Sequence, residues 1–333
     1  MLTRLAIIGG GGWGTALAVV LSPRFECIRL WVYEPDLAGR MRATRENDLY
    51  LAGQSIPAQV EVVTELGAAL EGAEVVLGVM PSHVARGIYS RMLGRLEPSM
   101  LFVSATKGLE NGTLMRMSEV IGEVVGQRFA PRVAALSGPT FAREIARGEP
   151  AAVVIASQDE ELARTIQAAF FGPTFRLYTN SDPVGVELGG ALKNIIAIGA
   201  GICHGLGLGS NTLAALVTRG LAEITRLAVA MGGRPATLAG LAGLGDLVLT
   251  STGDLSRNRQ VGIELGRGRK LDEILSTMRM VAEGVNTTYA AVELGQRFGI
   301  DLPIIQQMNA ILRFGRPPRE AIRELMERSL KGE

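Results

Sequence analysis

Residues 4–21 read RLAIIGGGGWGTALAVVL, a short apolar run followed by a glycine-rich turn and a segment of small residues. Gly9, Gly11 and Gly14 match the pattern G-x-G-x-x-G. In that pattern the first glycine permits a tight turn, the second lets the backbone approach a pyrophosphate, and the third lets a helix pack close to its strand. A flexible loop is the alternative, but the apolar run before and the helical segment after favour a dinucleotide-binding βαβ unit.

A carboxylate follows the second apolar run of the chain. Glu34 lies twenty residues after Gly14 and just past residues 28–33. A carboxylate at that position accepts hydrogen bonds from the adenosine ribose hydroxyls and repels a 2′-phosphate. Glu34 therefore favours NAD(H) over NADP(H), and the alternative interpretation is a solvated glutamate at a strand end.

The N-terminal half alternates short β-branched runs with helix-like segments, which is the rhythm of βαβ units. The candidate strands are Arg4–Gly9, Cys27–Tyr33, Val60–Val63, Glu74–Val79, Met100–Ser104, Arg132–Leu136 and Ala151–Ala156. Several are continuously apolar, as in parallel strands covered on both faces. After the loop-like residues 180–183, helical periodicity takes over. We therefore predict an α/β Rossmann domain with a doubly wound, mainly parallel sheet over residues 1–181, and an all-α substrate domain over residues 182–333.

The composition excludes several classes of protein. The 333 residues hold 34 Lys and Arg against 33 Asp and Glu, so a net charge of +1 provides no basic field for a nucleic acid. Cys27 and Cys203 cannot form a disulfide framework, and with His83 and His204 they show no metal-ligand spacing. We therefore expect neither a nucleic-acid partner nor a metal site, and we interpret His204 as structural.

One uncharged stretch, residues 194–218, resembles a membrane span in length, but polar residues and repeated glycines interrupt it. A buried helix-turn-helix fits this stretch better. The apolar run at residues 5–8 is too short for the core of a secretory signal. We therefore expect a cytoplasmic protein with no stable membrane insertion.

A single lysine interrupts an apolar helical segment, ELGGALKNIIAI at residues 187–198. Gly189 and Gly190 lie one turn before Lys193 and remove side-chain bulk beside its ammonium group. A desolvated lysine loses proton affinity, which suits a general acid/base at a carbonyl or carbinol oxygen. The alternatives are a lysine that extends to solvent and an inter-domain salt bridge.

Two loops follow the carboxyl ends of predicted strands, where doubly wound folds bind their ligands. Lys107 lies in the first of these loops, and Gly138 and Thr140 lie in the second. All three are candidates for contact with a substrate or with the reactive end of a coenzyme.

The C-terminal half holds a group suited to a phosphate. Asp246 is followed by Ser256, Arg257 and Asn258, which supply a hydroxyl, a guanidinium and an amide in sequence. The guanidinium fork matches phosphate oxygens, and a helix that begins there adds backbone N–H groups. The alternative is a helix cap beside a solvated arginine.

Taken together, these motifs resemble those of the bacterial soluble NAD(P)-dependent glycerol-3-phosphate dehydrogenases, over essentially the whole chain. The resemblance rests on Gly9–Ala18, Trp31, Pro81–His83, Thr106–Leu109, Leu136–Ala142, Gly148–Pro150, Gly189–Gly201, Gly205–Gly220, Gly240–Gly253, Ser256–Asn258, Val281–Thr287 and Leu325–Met326. It implies hydride transfer between NAD(P)H and dihydroxyacetone phosphate to give sn-glycerol 3-phosphate for phospholipid synthesis. It also implies a homodimer.

The resemblance assigns roles residue by residue. It places the proton donor and acceptor at Lys193, with Lys107 and Asp246 orienting the reacting groups. The substrate-binding positions that it implies are Lys107, Gly138, Thr140, Lys193, Asp246, Ser256, Arg257 and Asn258. The cofactor-binding positions that it implies are Gly12, Trp13, Lys107, Ala142, Arg257, Val281 and Glu283. The glycine pattern and the carboxylate described above add Gly9, Gly11, Gly14 and Glu34.

Two departures concern the coenzyme. Gly12 stands where many relatives have serine, and Val32, Tyr33 and Glu34 stand where many have a basic residue after the strand-two tryptophan. We therefore expect either use of both coenzymes or a preference for NADH.

Two other functions are compatible with parts of the pattern. A 3-hydroxyacid or 6-phosphogluconate dehydrogenase shares the two-domain plan, but it typically has an asparagine four residues after the helix lysine, where this chain has Ala197. A non-catalytic NAD(H)-binding regulator would be expected to lack a catalytic residue, and Lys107, Lys193, Asp246 and Arg257 are all present.

Overall fold

The computed structural model describes residues 2–278 and 281–330. Two parts of the predicted helical domain, residues 279–280 and residues 331–333, lie outside the described residues. Contacts divide the chain into two compact units, Met1–Glu187 and Leu188–Glu333. The division falls within a helix, six residues after the boundary predicted at 181/182.

The first unit is built on strands. They are β1 Arg4–Ile8, β2 Cys27–Trp31, β3 Glu46–Asn47, β4 Leu51–Ser55, β5 Val60–Val63, β6 Val75–Gly78, β7 Leu101–Ser104, β8 Arg132–Ser137, β9 Ala151–Ala156 and β10 Phe175–Asn180. Among the described residues, eight of them form one sheet in the order β10-β9-β8-β7-β6-β1-β2-β5, and β3 pairs with β4 in a small hairpin. The strand order reverses at β1 and β6, which is where a doubly wound sheet opens its ligand-binding crevice.

The pairing confirms a mainly parallel sheet, with one exception. β8 and β9 run antiparallel, whereas the other neighbours in the large sheet are parallel. The predicted bounds of Val60–Val63 and Ala151–Ala156 match the structure. The sequence analysis missed β3, β4 and β10. β10 reads FRLYTN and lies at the sheet edge, so it buries alternate residues and lacks the continuous apolar run of an inner strand.

Helices cover both faces of the sheet. They are α1 Gly12–Leu21, α2 Pro35–Thr44, α3 Leu66–Leu70, α4 Ser82–Met92, α5 Met117–Val125, α6 Ala142–Ala146 and α7 Glu160–Phe170. Alternate residues of β1 enter two separate cores: Leu5 and Ile7 pack with residues of α1, α2 and α7, and Ala6 and Ile8 pack with residues of α3, α4 and α5. The period of two along a strand therefore produces the two apolar layers.

The second unit is helical, as predicted. Its helices, the first of which begins in the first unit, are α8 Pro183–Gly205, α9 Ser210–Ala230, α10 Pro235–Leu238, α11 Asp246–Thr252, α12 Arg257–Gly266, α13 Leu271–Thr277, α14 Glu283–Phe298, α15 Pro303–Phe314 and α16 Pro318–Met326. A five-residue π-helical turn, Leu241–Gly245, precedes α11.

Helix α8 is long and apolar enough to cross a membrane by length and composition, but its apolar window is entirely buried in the fold. The predicted helix-turn-helix is present, because α8 ends at Gly205 and α9 begins at Ser210. The expectation that the whole stretch is buried is wrong for residues 204–218, which are half-buried or exposed. The serine, asparagine, threonine and alanine side chains there are small or polar and tolerate contact with water.

Glycines let the backbones of α8 and α12 come into direct contact. A Cβ on Gly266 would lie 2.6 Å from the Ile202 carbonyl oxygen, and one on Gly262 would overlap the Ile198 carbonyl oxygen. Because larger side chains are excluded at this crossing, the middle and the end of α12 are held directly against α8.

Candidate active site

The glycine turn joins β1 to α1 at the point where the strand order reverses. Gly9 has a φ of +128°, and a Cβ there would lie 2.9 Å from the carbonyl carbon and oxygen of Val79. Gly11 precedes α1, and within the described chain no side chain caps this helix and no atom lies within 4 Å of a Cβ added at Gly11. The first backbone N–H groups of α1 therefore have the arrangement that binds a phosphate at a helix N-terminus.

The sequence analysis missed Asn47, which fixes this turn from the hairpin. Its side-chain amide is fully buried and donates to the Gly10 carbonyl oxygen at 2.9 Å and to the Thr15 hydroxyl at 2.8 Å. Its side-chain oxygen accepts from the Tyr50 backbone N–H at 3.0 Å. No local sequence signal indicates this role, because Asn47 is more than thirty residues away from Gly10 in the chain.

Glu34 has a specific partner. The Tyr50 hydroxyl donates to Oε1 of Glu34 at 2.8 Å, and both side chains are half-buried. Burial and the adjacent Glu34 carboxylate raise the pKa of Tyr50 to about 12.

The backbone of Tyr50 also limits the space at Gly12. The carbonyl oxygen of Tyr50 lies 2.7 Å from the position of a Cβ on Gly12. A side chain at position 12 would therefore require the Tyr50 carbonyl to shift.

Trp13 packs in the first turn of α1 against the same apolar core as Ala142 of α6. Its indole Nε1 is buried and has no hydrogen-bond partner among the described residues. A buried indole N–H ordinarily has a partner, so this donor is a candidate for contact with a bound ligand.

The structure brings together the three residues predicted on the strand-end loops. Nζ of Lys107 donates to the Gly138 carbonyl oxygen at 2.8 Å and to the Thr140 hydroxyl at 3.1 Å. Gly138 has a φ of +142°, and a Cβ there would lie 3.0 Å from Cα of Val153. Glycine at that position lets β8 end in a turn that presents its carbonyl oxygen to the lysine.

An ion-pair cluster braces the loop that carries Lys107, and the sequence analysis missed it. The Arg86 guanidinium donates to both oxygens of Glu110 at 2.8 Å and to Glu123 at 3.0 Å. The Thr113 hydroxyl also donates to Glu110. Arg86 holds the pKa of the Glu110 carboxyl below its usual value, and Glu110 is buried. This bidentate pair ties the loop to α4 and α5.

In the helical unit, Lys193 of α8 meets Asp246 of α11. Nζ of Lys193 lies 2.6 Å from Oδ1 of Asp246 and 2.5 Å from the Thr250 hydroxyl oxygen. Lys193 is 6% exposed and Asp246 is fully buried. Desolvation alone would lower the proton affinity of Lys193, whereas the adjacent Asp246 carboxylate stabilises the ammonium. Thr250 was missed, although its spacing of four residues from Asp246 predicts a shared helix face.

Gly189 permits the approach that forms this cluster. A Cβ on Gly189 would lie 2.7 Å from the Ala242 carbonyl oxygen in the π-helical turn. The turn is closed by a hydrogen bond of 3.1 Å from the Gly245 N–H to the Gly240 carbonyl oxygen. Lys193 lies one helical turn after Gly189 in α8. The π-helical turn that contacts Gly189 therefore also places Asp246, the residue that follows it, beside Lys193.

The three residues predicted to suit a phosphate have different roles in the structure. The buried Ser256 hydroxyl caps α12, since it accepts from the Arg259 N–H at 3.2 Å. Asn258 is buried, and its amide donates to Oδ1 of Asn194 at 3.0 Å while its oxygen accepts from the Gly284 N–H at 3.0 Å. Arg257 alone keeps an exposed side chain.

Arg257 contacts the two remaining predicted cofactor positions. Its Nη1 donates to the Val281 carbonyl oxygen at 2.8 Å, and the half-buried Glu283 carboxylate is close enough to interact with its charge. Asn258 lies beside Arg257 and bonds to Asn194, the residue next to Lys193. The start of α12 is thus linked to α8 through one amide-to-amide hydrogen bond.

The remaining candidates do not form a site of their own. Within residues 2–278 and 281–330, no three His, Cys, Asp or Glu side chains are grouped to hold a metal ion. His204 is exposed at the end of α8, and Cys203 is buried, which raises the pKa of its thiol.

The chain matches known proteins over nearly its full length. Models described as the N-terminus and C-terminus of NAD-dependent glycerol-3-phosphate dehydrogenase match residues 4–163 and 182–323. A Koribacter versatilis protein named glycerol-3-phosphate dehydrogenase (NAD(P)+) is 61% identical over 329 residues, with 98% of each chain covered. A protein of the same name from Syntrophotalea carbinolica is 54% identical over 330 residues, with 99% of each chain covered.

A solved structure agrees with these matches. The crystal structure of glycerol-3-phosphate dehydrogenase from Coxiella burnetii superimposes with a TM-score of 0.94 at 40% identity, covering 98% of this chain and 99% of that one. The alternative of a 3-hydroxyacid or 6-phosphogluconate dehydrogenase is set aside by these matches. The chain belongs to the NAD-dependent glycerol-3-phosphate dehydrogenase family.

Proposed function

We propose that this protein interconverts dihydroxyacetone phosphate and sn-glycerol 3-phosphate with NAD(H) or NADP(H) as coenzyme. The observation that carries the proposal is the buried cluster of Lys193, Asp246 and Thr250, in a chain whose two halves both match this family. An ammonium fixed by two oxygen acceptors in a buried environment has the chemistry of a proton donor to an alkoxide that forms from a carbonyl.

The residues of the first unit fit a dinucleotide. The uncapped N-terminus of α1 supplies backbone N–H groups for the pyrophosphate, and Gly11 keeps a side chain away from it. Gly9 and Gly14 allow the tight turn and the close packing of α1 against β1. The indole N–H of Trp13 offers a further donor, and Ala142 packs against the same core. We assign Glu34 to the adenosine ribose hydroxyls, which favours NAD(H). When bound, the nicotinamide supplies or receives the hydride.

Lys193 acts as the general acid and base in this account. In the reduction its ammonium donates a proton to the carbonyl oxygen of the triose phosphate, and in the oxidation its amine accepts the proton from the carbinol hydroxyl. Asp246 and Thr250 hold Nζ in place, so that the proton transfer requires no search among lysine rotamers.

We assign the phosphate to the start of α12. Arg257, a residue exposed overall, supplies a guanidinium there, and the backbone N–H groups of the first helical turn add to it. Asn258 keeps one amide hydrogen beyond the one donated to Asn194, while Ser256 fixes the turn as its cap. Val281 and Glu283 are proposed cofactor neighbours through their contacts with Arg257.

We assign Lys107, Gly138 and Thr140 to the substrate as well. Lys107 carries a cation at the carboxyl end of β7, and its two bonds to Gly138 and Thr140 orient the ammonium. A lysine held in this way can orient the reacting end of a ketone phosphate by electrostatic attraction and hydrogen bonding.

The product would supply the glycerol phosphate backbone of phospholipids. We propose that the protein works in the cytoplasm as a homodimer on small-molecule substrates, and not on nucleic acids or within a membrane. The net charge of +1 and the buried position of α8 support this assignment.

The test is the oxidation of NADH by the purified protein with dihydroxyacetone phosphate, with chiral analysis of the product. NADPH and the reverse assay with 6-phosphogluconate and NAD(P)⁺ serve as comparisons. We expect turnover with the triose phosphate and formation of the sn-3 enantiomer. Coenzyme binding without turnover would instead indicate a regulator, and turnover with 6-phosphogluconate alone would refute the substrate.

A further inference from the structure

Tyr50 is held at both ends, and its two attachments lie at different parts of the dinucleotide-binding surface. Its backbone N–H donates to Asn47, which in turn holds Gly10 and Thr15 of the glycine turn. Its hydroxyl donates to Glu34 at 2.8 Å. Tyr50 therefore connects the proposed pyrophosphate end of the coenzyme site to the proposed ribose end.

This connection restrains a side chain that would otherwise move freely. Glu34 immediately precedes α2, is half-buried, and makes no side-chain capping bond to that helix in the described structure. A glutamate without a partner populates several rotamers at little cost and can turn its charge away from an approaching anion. The hydroxyl of Tyr50 removes that freedom because it fixes Oε1.

The tyrosine hydroxyl remains a donor to Glu34 at neutral pH. Burial and the Glu34 charge raise the pKa of its hydroxyl to about 12, so the hydroxyl stays protonated across the range in which enzymes work. A protonated hydroxyl beside a carboxylate makes a charge-assisted hydrogen bond, which is stronger than a bond between neutral groups.

We propose that Tyr50 is a positioning residue for coenzyme selection, which holds the Glu34 carboxylate where it accepts the ribose hydroxyls of NAD(H) and repels the 2′-phosphate of NADP(H). This inference rests on the proposed function. It adds that the acidic residue discriminates only while its orientation is fixed, and that the residue fixing it lies on the β3–β4 hairpin rather than on the strand that carries Glu34.

The experiment compares the two coenzymes in Tyr50→Phe, which removes only the hydroxyl. The ratio of kcat/KM for NADH to that for NADPH is measured with dihydroxyacetone phosphate, and the ratio of the two Kd values is measured by calorimetry without substrate. We expect Tyr50→Phe to shift both ratios towards NADPH by about three- to tenfold, the range of one typical intramolecular hydrogen bond.

Two further variants isolate the pair. Tyr178→Phe removes an exposed hydroxyl on β10, at the opposite edge of the sheet, and is expected to leave both ratios unchanged. In Glu34→Ala the preference shifts further towards NADPH, and adding Tyr50→Phe to it changes the ratio by less than about twofold, because the hydroxyl no longer has its acceptor.

Two results would overturn the inference. The first is a wild-type protein that strongly prefers NADPH, and the second is a Tyr50→Phe protein whose Kd ratio stays within about twofold of wild type. Neither result would contradict the proposed reaction, because that proposal is tested by turnover of dihydroxyacetone phosphate. The Kd ratio still tests Tyr50 if the protein proves to be a regulator without turnover.

Discussion

Nζ of Lys193 and Oδ1 of Asp246 lie 2.6 Å apart in the buried interior of the helical unit and join α8 to α11. A buried ion pair contributes little net stability, because the cost of removing two charges from water offsets their attraction. Removing one partner alone is costly, since it leaves a buried charge without compensation. The pair is therefore more readily explained by the chemistry of the lysine than by stability.

Gly189→Ala tests whether close backbone contact delivers Asp246 to Lys193. The new methyl group would lie 2.7 Å from the Ala242 carbonyl oxygen, so α8 and the π-helical turn must separate. We expect a loss of about 1–3 kcal/mol in the free energy of unfolding and a kcat lower by about tenfold or more.

Gly122→Ala is the matched control for that substitution. Gly122 lies within α5, and no described atom lies within 4 Å of its added Cβ. Alanine there should raise stability by up to about 1 kcal/mol and leave kcat unchanged. Equal effects of the two substitutions in denaturant unfolding and in turnover would contradict the account of Gly189.

Thr250→Val removes the hydroxyl that lies 2.5 Å from Nζ of Lys193 and keeps nearly the same side-chain shape. We expect kcat to fall by about tenfold, because the lysine loses a hydrogen-bond acceptor that anchors its Nζ, while the coenzyme Kd stays constant. Thr250→Ser should restore most of kcat. An unchanged kcat in the valine variant would show that Asp246 alone positions the lysine.

Glu110→Gln tests the brace on the Lys107 loop. It removes the charge that accepts both bonds from Arg86, so the loop gains mobility. Steady-state kinetics should show KM for dihydroxyacetone phosphate raised by about three- to tenfold with an unchanged coenzyme Kd. Glu160→Gln breaks the exposed pair with Arg164 and serves as the control without effect. If Glu110→Gln and Glu160→Gln have identical kinetics, the pair of Arg86 and Glu110 does not position Lys107 for the substrate.

Glu223 makes stability depend on pH. Its buried carboxylate accepts from the backbone N–H groups of Ile304 and Ile305 at 2.8 and 3.1 Å, and burial raises its pKa from 4.5 to about 7. Between those values the folded state keeps a proton that the unfolded chain has released. The free energy of unfolding therefore falls as the pH rises through this range and levels off above it, by up to about 3 kcal/mol.

Glu223→Gln removes this titration and keeps one acceptor for the start of α15. Urea unfolding of wild type and variant from about pH 5 to pH 8 isolates the contribution of Glu223 as the difference between the two curves. We expect the stability of wild type relative to the variant to decline over that interval. Parallel curves would mean that the carboxyl does not titrate there.

Local sequence features were sufficient to predict seven strands of the Rossmann unit, but not β3, β4 and β10 or all of the pairings. Val60–Val63 and Ala151–Ala156 are short β-branched runs, and their bounds follow from those residues alone. The antiparallel pairing of β8 with β9 depends on how the connection between them folds, which no residue pattern in either strand indicates.

In the candidate site, too, some residues could be predicted from local sequence features and others could not. Lys193 could be predicted because two glycines and an apolar helix surround it, whereas its partner Thr250 lies 57 residues away along the chain. Tyr50 and Glu110 act through hydrogen bonds to distant segments and leave no periodic or compositional signal. Asn258 was predicted to face a ligand, but much of its side chain is used to join three helices.

The central claim is that Lys193 transfers the proton during reduction of dihydroxyacetone phosphate. Its most direct test is kcat of Lys193→Ala at saturating NADH, with Lys270→Ala as an exposed control and with coenzyme Kd and thermal unfolding measured alongside. The account predicts a fall in kcat of about 10²–10⁴-fold in a folded protein that binds NADH normally, with no change in the control. A folded Lys193→Ala protein with near-normal kcat would contradict it.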